Sequence, residues 1–196
     1  EYYFGNEVID IKRVDDIYNI KTKKDTYKTR WVVNAAGLYS DRVSKMLGID
    51  DYTIHPCRGE YFILDEKVGS KLSLPAYPVP NPKEGGLGIH LTPTIDGNVF
   101  IGPSSEYIDE RDDYSATQKI MDLLIKDGGR IFPHIRREDF IRNFAGIRPK
   151  LASKEEGGYH DFVIEMRDKS PNTINLVGIE SPGLTSSTPI AKYVVS

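Results

Sequence analysis

The sequence predicts a mixed α/β fold of the α+β type. Three observations carry that prediction: short apolar–polar alternations near the start, one capped amphipathic segment past the midpoint, and strand-like runs on both sides of it. The chain has 196 residues, 39% of them hydrophobic and 28% charged. A chain of that length and composition buries a real core, which excludes a disordered protein.

Val8, Ile9, Ile11 and Val14 form a β-branched run, and Asp15-Asp16 turns it. Ile17, Tyr18 and Ile20 then alternate with polar residues, Lys23-Lys24-Asp25 makes the next turn, and residues 27–34 read as a third strand. Its apolar stretch, Trp31-Val32-Val33, predicts a central position in a sheet. Ala35-Ala36-Gly37 leads into a helix carrying Leu38, Val43, Met46 and Leu47, which Gly48 closes.

Residues 58–64, 87–91 and 99–101 are predicted strands, with Asp96-Gly97 as a hairpin signal between the last two. Residues 75–88 are dense in Pro and Gly, the mark of a functional or flexible loop. Ser115-Ala116-Thr117-Gln118 fits a capping box and opens a helix with Ile120, Leu123 and Leu124 on one face. Gly128-Gly129 is its predicted end. Strand-like stretches at 140–148, 162–165 and 174–178 follow, and residues 181–188 open a final helix.

Charge and cysteine content narrow the function. With 26 Lys+Arg against 29 Asp+Glu the formal charge is −3, so the concentrated basic face of a generic nucleic-acid binder is missing and no nucleic-acid partner is expected. The single cysteine, Cys57, excludes an internal disulfide and a Cys-based zinc site, and His55, His134 and His160 lack metal-ligand spacing. No metal is expected. No apolar run approaches the ~20 residues that span a bilayer, so no transmembrane segment is expected either. No secretory signal is present, which suits a cytoplasmic protein, whether free or peripheral to a membrane. The start at Glu1 in a strand-like segment and the finish inside a helix-like one read as a piece of a longer protein.

No G-x-G-x-x-G follows a first strand and no Walker A sequence occurs, so these residues alone hold no standard dinucleotide or triphosphate cradle. Gly85-Gly86-Leu87-Gly88 opens a strand rather than a helix and reads as a hinge. Asn34-Ala35-Ala36-Gly37 is a strand-to-helix junction of small side chains, open either to tight packing or to a ligand. Residues 179–189, Ile-Glu-Ser-Pro-Gly-Leu-Thr-Ser-Ser-Thr-Pro, supply a helix start whose N–H groups suit negative charge, or simply several N-caps. Arg148, before Pro149, and Arg58, before Gly59, are each a carboxylate or phosphate ligand or else an ordinary ion pair. His90 lies in an apolar strand, where a satisfied core histidine competes with a base. Cys57 has no activating partner in the sequence.

Taken in order, Val32 to Asp41, Arg58-Gly59-Glu60-Tyr61, Gly146-Ile147-Arg148-Pro149 and Ser181-Pro182-Gly183-Leu184-Thr185 resemble FAD-dependent oxidoreductases of the D-amino-acid oxidase superfamily. Tyr77-Pro78-Val79-Pro80, Leu87 to Thr92 and Asp96 to Pro103 are similar to L-2-hydroxyglutarate dehydrogenases and oxidases. The Ser-Pro-Gly-Leu-Thr-Ser-Ser turn also resembles bacterial proteins labelled glycerol-3-phosphate dehydrogenase.

The resemblance implies a substrate (cap) domain with a mixed β-sheet, plus the C-terminal part of a FAD-binding domain whose N-terminal βαβ unit lies upstream. It implies residues 1–50 and 146–196 in the FAD-binding domain and 51–145 in the cap. FAD is the implied cofactor, held weakly by these residues alone. Asn34, Ala35, Ala36 and Gly37 would lie beside it, and Gly183, Leu184, Thr185 and Ser186 would present N–H groups to the flavin. Arg148, with Arg58 and Tyr61, would bind a small anionic substrate, and His90, flanked by Tyr61, would take the hydroxyl proton. Oxygen, a quinone or an iron–sulfur protein would accept the electrons.

Glycerol-3-phosphate enzymes of this family carry a His where Tyr61 stands and a Lys-containing stretch where Ile179-Glu180-Ser181 stands. Both departures favour a 2-hydroxy acid. Glycerol 3-phosphate oxidation, an amino-acid or amine oxidase, and a non-catalytic ligand- or partner-binding domain remain as alternatives.

Overall fold

Alternating β-branched and aromatic residues set most of the strands, and residues 1–79 and 88–196 are described by the computed structural model. In chain order, β1 (Val8–Val14), β2 (Ile17–Thr22), β3 (Thr26–Thr29) and β4 (Val32–Asn34) precede a 3-10 turn over Gly37–Tyr39 and helix α1 (Ser40–Met46). Next come β5 (His55–Leu64), the short α2 (Glu66–Gly69), β6 (His90–Pro93), β7 (Val99–Gly102), β8 (Glu106–Tyr107) and α3 (Gln118–Ile131). β9 (Phe140–Lys150), β10 (Val163–Arg167), β11 (Ser170–Val177) and α4 (Gly183–Val195) come last. The mixed α/β class is as predicted. The chain divides into two units: Glu1–Ile54 with Pro149–Leu151 and His160–Ser196, and His55–Arg148 with Ala152–Tyr159.

In the first unit β1, β2 and β3 form an antiparallel sheet, turned at Asp15-Asp16 as the sequence predicts. Ile11 and Tyr18 bury one face of it with Val32 and Leu47. Tyr18 Oη donates to the Pro171 carbonyl at 2.6 Å, so its polar end is satisfied. Gly48, at φ +79°, closes α1 as expected.

The predicted strand 27–34 is in fact two strands. Thr29 Oγ1 accepts from Trp31 N–H and donates to Trp31 O, which interrupts the ladder. β4 then leaves its neighbours and pairs in parallel with β11 through Val32–Thr173, Val33–Ile174 and Asn34–Asn175. Among the described residues β4 stands at the end of the order β10-β11-β4, not at the centre. Trp31 and Val33 are correspondingly about half exposed, at 51% and 48%.

In the second unit β6, β7, β5 and β8 line up in that order, and β9 also pairs with β5. Side chains alternate along β5. Phe62 and Leu64 enter a core with Leu91, Val99, Ile101, Ile120 and Leu124, while Gly59 and Tyr61 point to the opposite face. The β6–β7 connection holds Asp96-Gly97, with Thr94 N–H bonded to Asn98 O at 2.8 Å.

Two predicted boundaries of α3 are corrected. Its N-cap is Thr117, whose Oγ1 accepts from Ile120 N–H at 3.3 Å, because the Ser115 hydroxyl is taken by Arg58. The helix also runs through Gly128-Gly129 to Ile131. Gly128 faces Ile101 so closely that a Cβ would collide with it, so this glycine serves packing rather than termination. The predicted strand 87–91 starts only at His90; Leu87, Gly85-Gly86 and much of the 75–88 loop lie outside the described residues.

Candidate functional site

The outward face of β5 gathers most of the chemistry of the second unit. Tyr61 stacks on Phe144 of β9, with centroids 5.2 Å apart and planes 6° apart, and Phe100 of β7 meets both rings edge-on. These three rings make an aromatic wall, half-buried and open on one side. His90 of β6 stands edge-on to Tyr61, and its Nε2 lies 3.4 Å from Tyr61 Oη.

The histidine tautomer follows from its other nitrogen. His90 Nδ1 lies 3.1 Å from the Gly88 carbonyl, which can only accept, so in neutral His90 Nδ1 carries the hydrogen. Nε2 then keeps its lone pair on the side of Tyr61. Burial pushes the Tyr61 phenol above its ordinary pKa, and the nearby Arg148 charge opposes that shift.

Arg148 completes the group from β9. Its guanidinium lies across Gly59, where a Cβ would fall 2.7 Å from Nη1, 2.9 Å from Nη2 and 3.1 Å from Cζ. Among the described residues Arg148 has no carboxylate partner. An arginine that is half-buried and has no counter-ion among the described residues, beside an aromatic wall and an imidazole, is suited to receive an anion.

Arg58, equally ambiguous in the sequence, faces the other way. Its guanidinium is buried and bonds Asp113, Glu106 at 2.8 Å and the Ser115 hydroxyl at 2.7 Å, with Glu60 at 3.4 Å. Burial works against its charge, and the surrounding carboxylates outweigh that and raise its pKa. Glu60, fully buried, accepts from Thr117 N–H at 2.6 Å and so ties β5 to the start of α3. No local motif signals this link, because its two ends lie 57 residues apart.

In the first unit Asn34 turns inward. Its Nδ2 has two hydrogens, and the shortest bonds go to the Ser40 carbonyl at 2.8 Å and Asn175 Oδ1 at 2.9 Å. Its Oδ1 accepts from Ala36 N–H at 3.2 Å, and Ser44 Oγ donates to Asn175 Oδ1 at 3.1 Å. Asn34 thus fastens β4, β11 and α1 together. Replacing it by Ala is expected to cost about 1–3 kcal/mol, because buried acceptors lose their donor; an unchanged urea midpoint would contradict that role.

Ala35 is exposed, and a Cβ at Gly37 (φ +53°) would meet nothing within 4 Å, so the space beside Gly37 is open. α4 starts at Gly183, and none of the hydroxyls around it caps the first turn. Ser187 Oγ donates to the Leu184 carbonyl instead. Leu184 and Thr185 therefore stand in an uncapped first turn, followed by Ser186, whose N–H bonds Pro182 O at 3.0 Å. An open small-residue junction and an uncapped helix start both fit an anionic cofactor.

Comparison with known proteins gives the family. The family described as FAD dependent oxidoreductase (DAO) matches residues 1–196. A glycerol 3-phosphate dehydrogenase of Caloramator mitchellensis is 36% identical over 193 residues, covering 98% of this chain and 38% of its own length. The mitochondrial L-2-hydroxyglutarate dehydrogenase of Arabidopsis thaliana is 36% identical over 180 residues, covering 84% of this chain and 37% of its own length. The solved, FAD-bound L-alpha-glycerophosphate oxidase of Mycoplasma pneumoniae superposes with a TM-score of 0.77 at 26% identity, over 97% of this chain and 49% of that one. The chain thus spans about half or less of the length of these relatives. The likeness runs through both units, and the chain belongs to the DAO family of FAD-dependent oxidoreductases.

Proposed function

We propose that the protein carrying this chain oxidises a small anionic 2-hydroxy acid of the L-2-hydroxyglutarate type, with FAD as cofactor. The observation that carries the reading is Arg148, which has no counter-ion among the described residues, on the same sheet face as Tyr61 and His90. In this reading the second unit is the substrate domain and the first belongs to the FAD-binding domain.

Arg148 holds the substrate carboxylate through its planar fork, a geometry a lysine lacks. Tyr61 donates to the substrate, and the aromatic wall excludes water from one side of it. His90 Nε2 takes the hydroxyl proton while the hydrogen on the same carbon leaves as hydride. Bound FAD supplies the hydride acceptor. Ala35, Ala36 and Gly37 would line its place in the first unit, while Asn34, turned inward, holds that junction from behind. Gly183, Leu184, Thr185 and Ser186 turn the positive end of α4 toward its negative charge. Arg58 is left out of the substrate set, because Asp113, Glu106 and Glu60 already neutralise it.

A second reading, oxidation of glycerol 3-phosphate, is favoured by the name of the Caloramator relative. Against it stand Tyr61 and Ile179-Glu180-Ser181, where the sequence departs from the glycerol-3-phosphate pattern. The test is anaerobic mixing of the full-length flavoprotein with each compound. L-2-hydroxyglutarate is expected to bleach the visible flavin band; bleaching by glycerol 3-phosphate alone selects the second reading, and bleaching by neither overturns both.

A further inference from the structure

We infer that Gly59 is the positioning residue for Arg148: the absence of a side chain on β5 at this point is what lets the guanidinium lie where it receives the substrate anion. The inference rests on the reading of Arg148 as that ligand. The sequence motif gives Gly59 no task of its own, and its backbone is not at a positive φ, so no left-handed conformation explains a glycine there.

The space above it does. A Cβ would sit 2.7, 2.9 and 3.1 Å from Nη1, Nη2 and Cζ of Arg148, well inside contact distance for all three atoms. Both Nη atoms lie nearer that point than Cζ does, so the guanidinium meets the strand obliquely with its Nη edge. The seat is bounded by Tyr61, two residues on along the same face of β5, whose ring stacks on Phe144. Residues 144 and 148 lie four apart on β9, so the arginine and the ring rise from the same side of that strand. A methyl group at position 59 lifts the guanidinium off the strand and changes where its donors point, while leaving its charge. A misplacement of this kind acts on binding geometry, and a shift of about 1 Å is enough for a large loss.

The experiment uses the full-length flavoprotein and whichever of L-2-hydroxyglutarate and glycerol 3-phosphate it oxidises. Gly59→Ala is expected to raise KM about tenfold or more with a much smaller change in kcat. On an Arg148→Met background, Gly59→Ala is expected to add nothing further to KM. An unchanged KM in Gly59→Ala, or the same increment on both backgrounds, overturns the inference.

The geometry is also read without turnover. The Arg148 charge holds the Tyr61 phenol down, so lifting the guanidinium raises the Tyr61 pKa, measured by ultraviolet difference titration against Tyr61→Phe. If Arg148→Met leaves KM unchanged, the substrate reading fails, and Gly59 is judged on this titration alone. A rise in Gly59→Ala that is absent on the Arg148→Met background sustains the inference; no rise overturns it. Should Gly59→Ala not accumulate folded, Gly59→Ala/Arg148→Ala is expected to restore folding by removing the clash. A double variant equally unfolded overturns it.

Discussion

Replacing Arg148 by Lys in the full-length flavoprotein is expected to raise KM for L-2-hydroxyglutarate by about 10- to 100-fold while moving kcat less. The charge survives the substitution, but the fork that grips both carboxylate oxygens does not. A charge-assisted hydrogen bond contributes roughly 1.5–3 kcal/mol, and each 1.4 kcal/mol is about a factor of ten in affinity. Arg58 does not take over, since it points into the core with its own carboxylates. Steady-state kinetics on the purified variant decide the matter. An unchanged KM removes Arg148 from the substrate site.

The largest stability effect is expected at Glu60. Its carboxylate is fully buried, receives Thr117 N–H at 2.6 Å and stands 3.4 Å from the Arg58 guanidinium. Glu60→Ala takes the acceptor from the first turn of α3, opens a cavity and leaves a buried guanidinium with fewer counter-charges. Breaking such a pair from one side costs about 3–5 kcal/mol. Glu60→Gln keeps an acceptor oxygen and is expected to cost about half as much or less. The figure for Ala approaches the total stability of a marginal domain, so the variant is expected to melt well below the parent. Equal melting temperatures for the parent and Glu60→Ala would refute the role assigned to this carboxylate.

The sequence was most legible where interactions are local. The turn at Asp15-Asp16, the Gly48 stop after α1 and the extended run at 58–64 are written within a few residues, and each is found in the fold. It was least legible where a distant partner decides. The run at 27–34 is apolar enough for one strand, yet β4 belongs to a strand some 140 residues further on. Ser115 has the chemistry of an N-cap, but a guanidinium from β5 claims its hydroxyl and Thr117 caps instead. Gly128-Gly129 looks like a stop until Ile101 is placed beside it.

The two arginines make the same point for the site. Arg58 and Arg148 both neighbour a strand glycine or proline, and nothing in their own segments separates them. Only the fold shows that one sits among carboxylates and the other on bare backbone. The Asn34 cluster was likewise hidden, because half of it is supplied by Asn175.

β5 is pinned from both sides, and this has a bearing on how the protein can change. A slip of one residue would carry Arg58 and Glu60 out to the aromatic wall and drive Tyr61 into the aliphatic core, so neither neighbour tolerates it. Natural drift or a directed library seeking a new substrate therefore has little room on this strand. The adaptable positions are on its flanks, at Thr92 of β6 and at Phe144 and Gly146 of β9, where side chains change shape without disturbing the ionic core behind them.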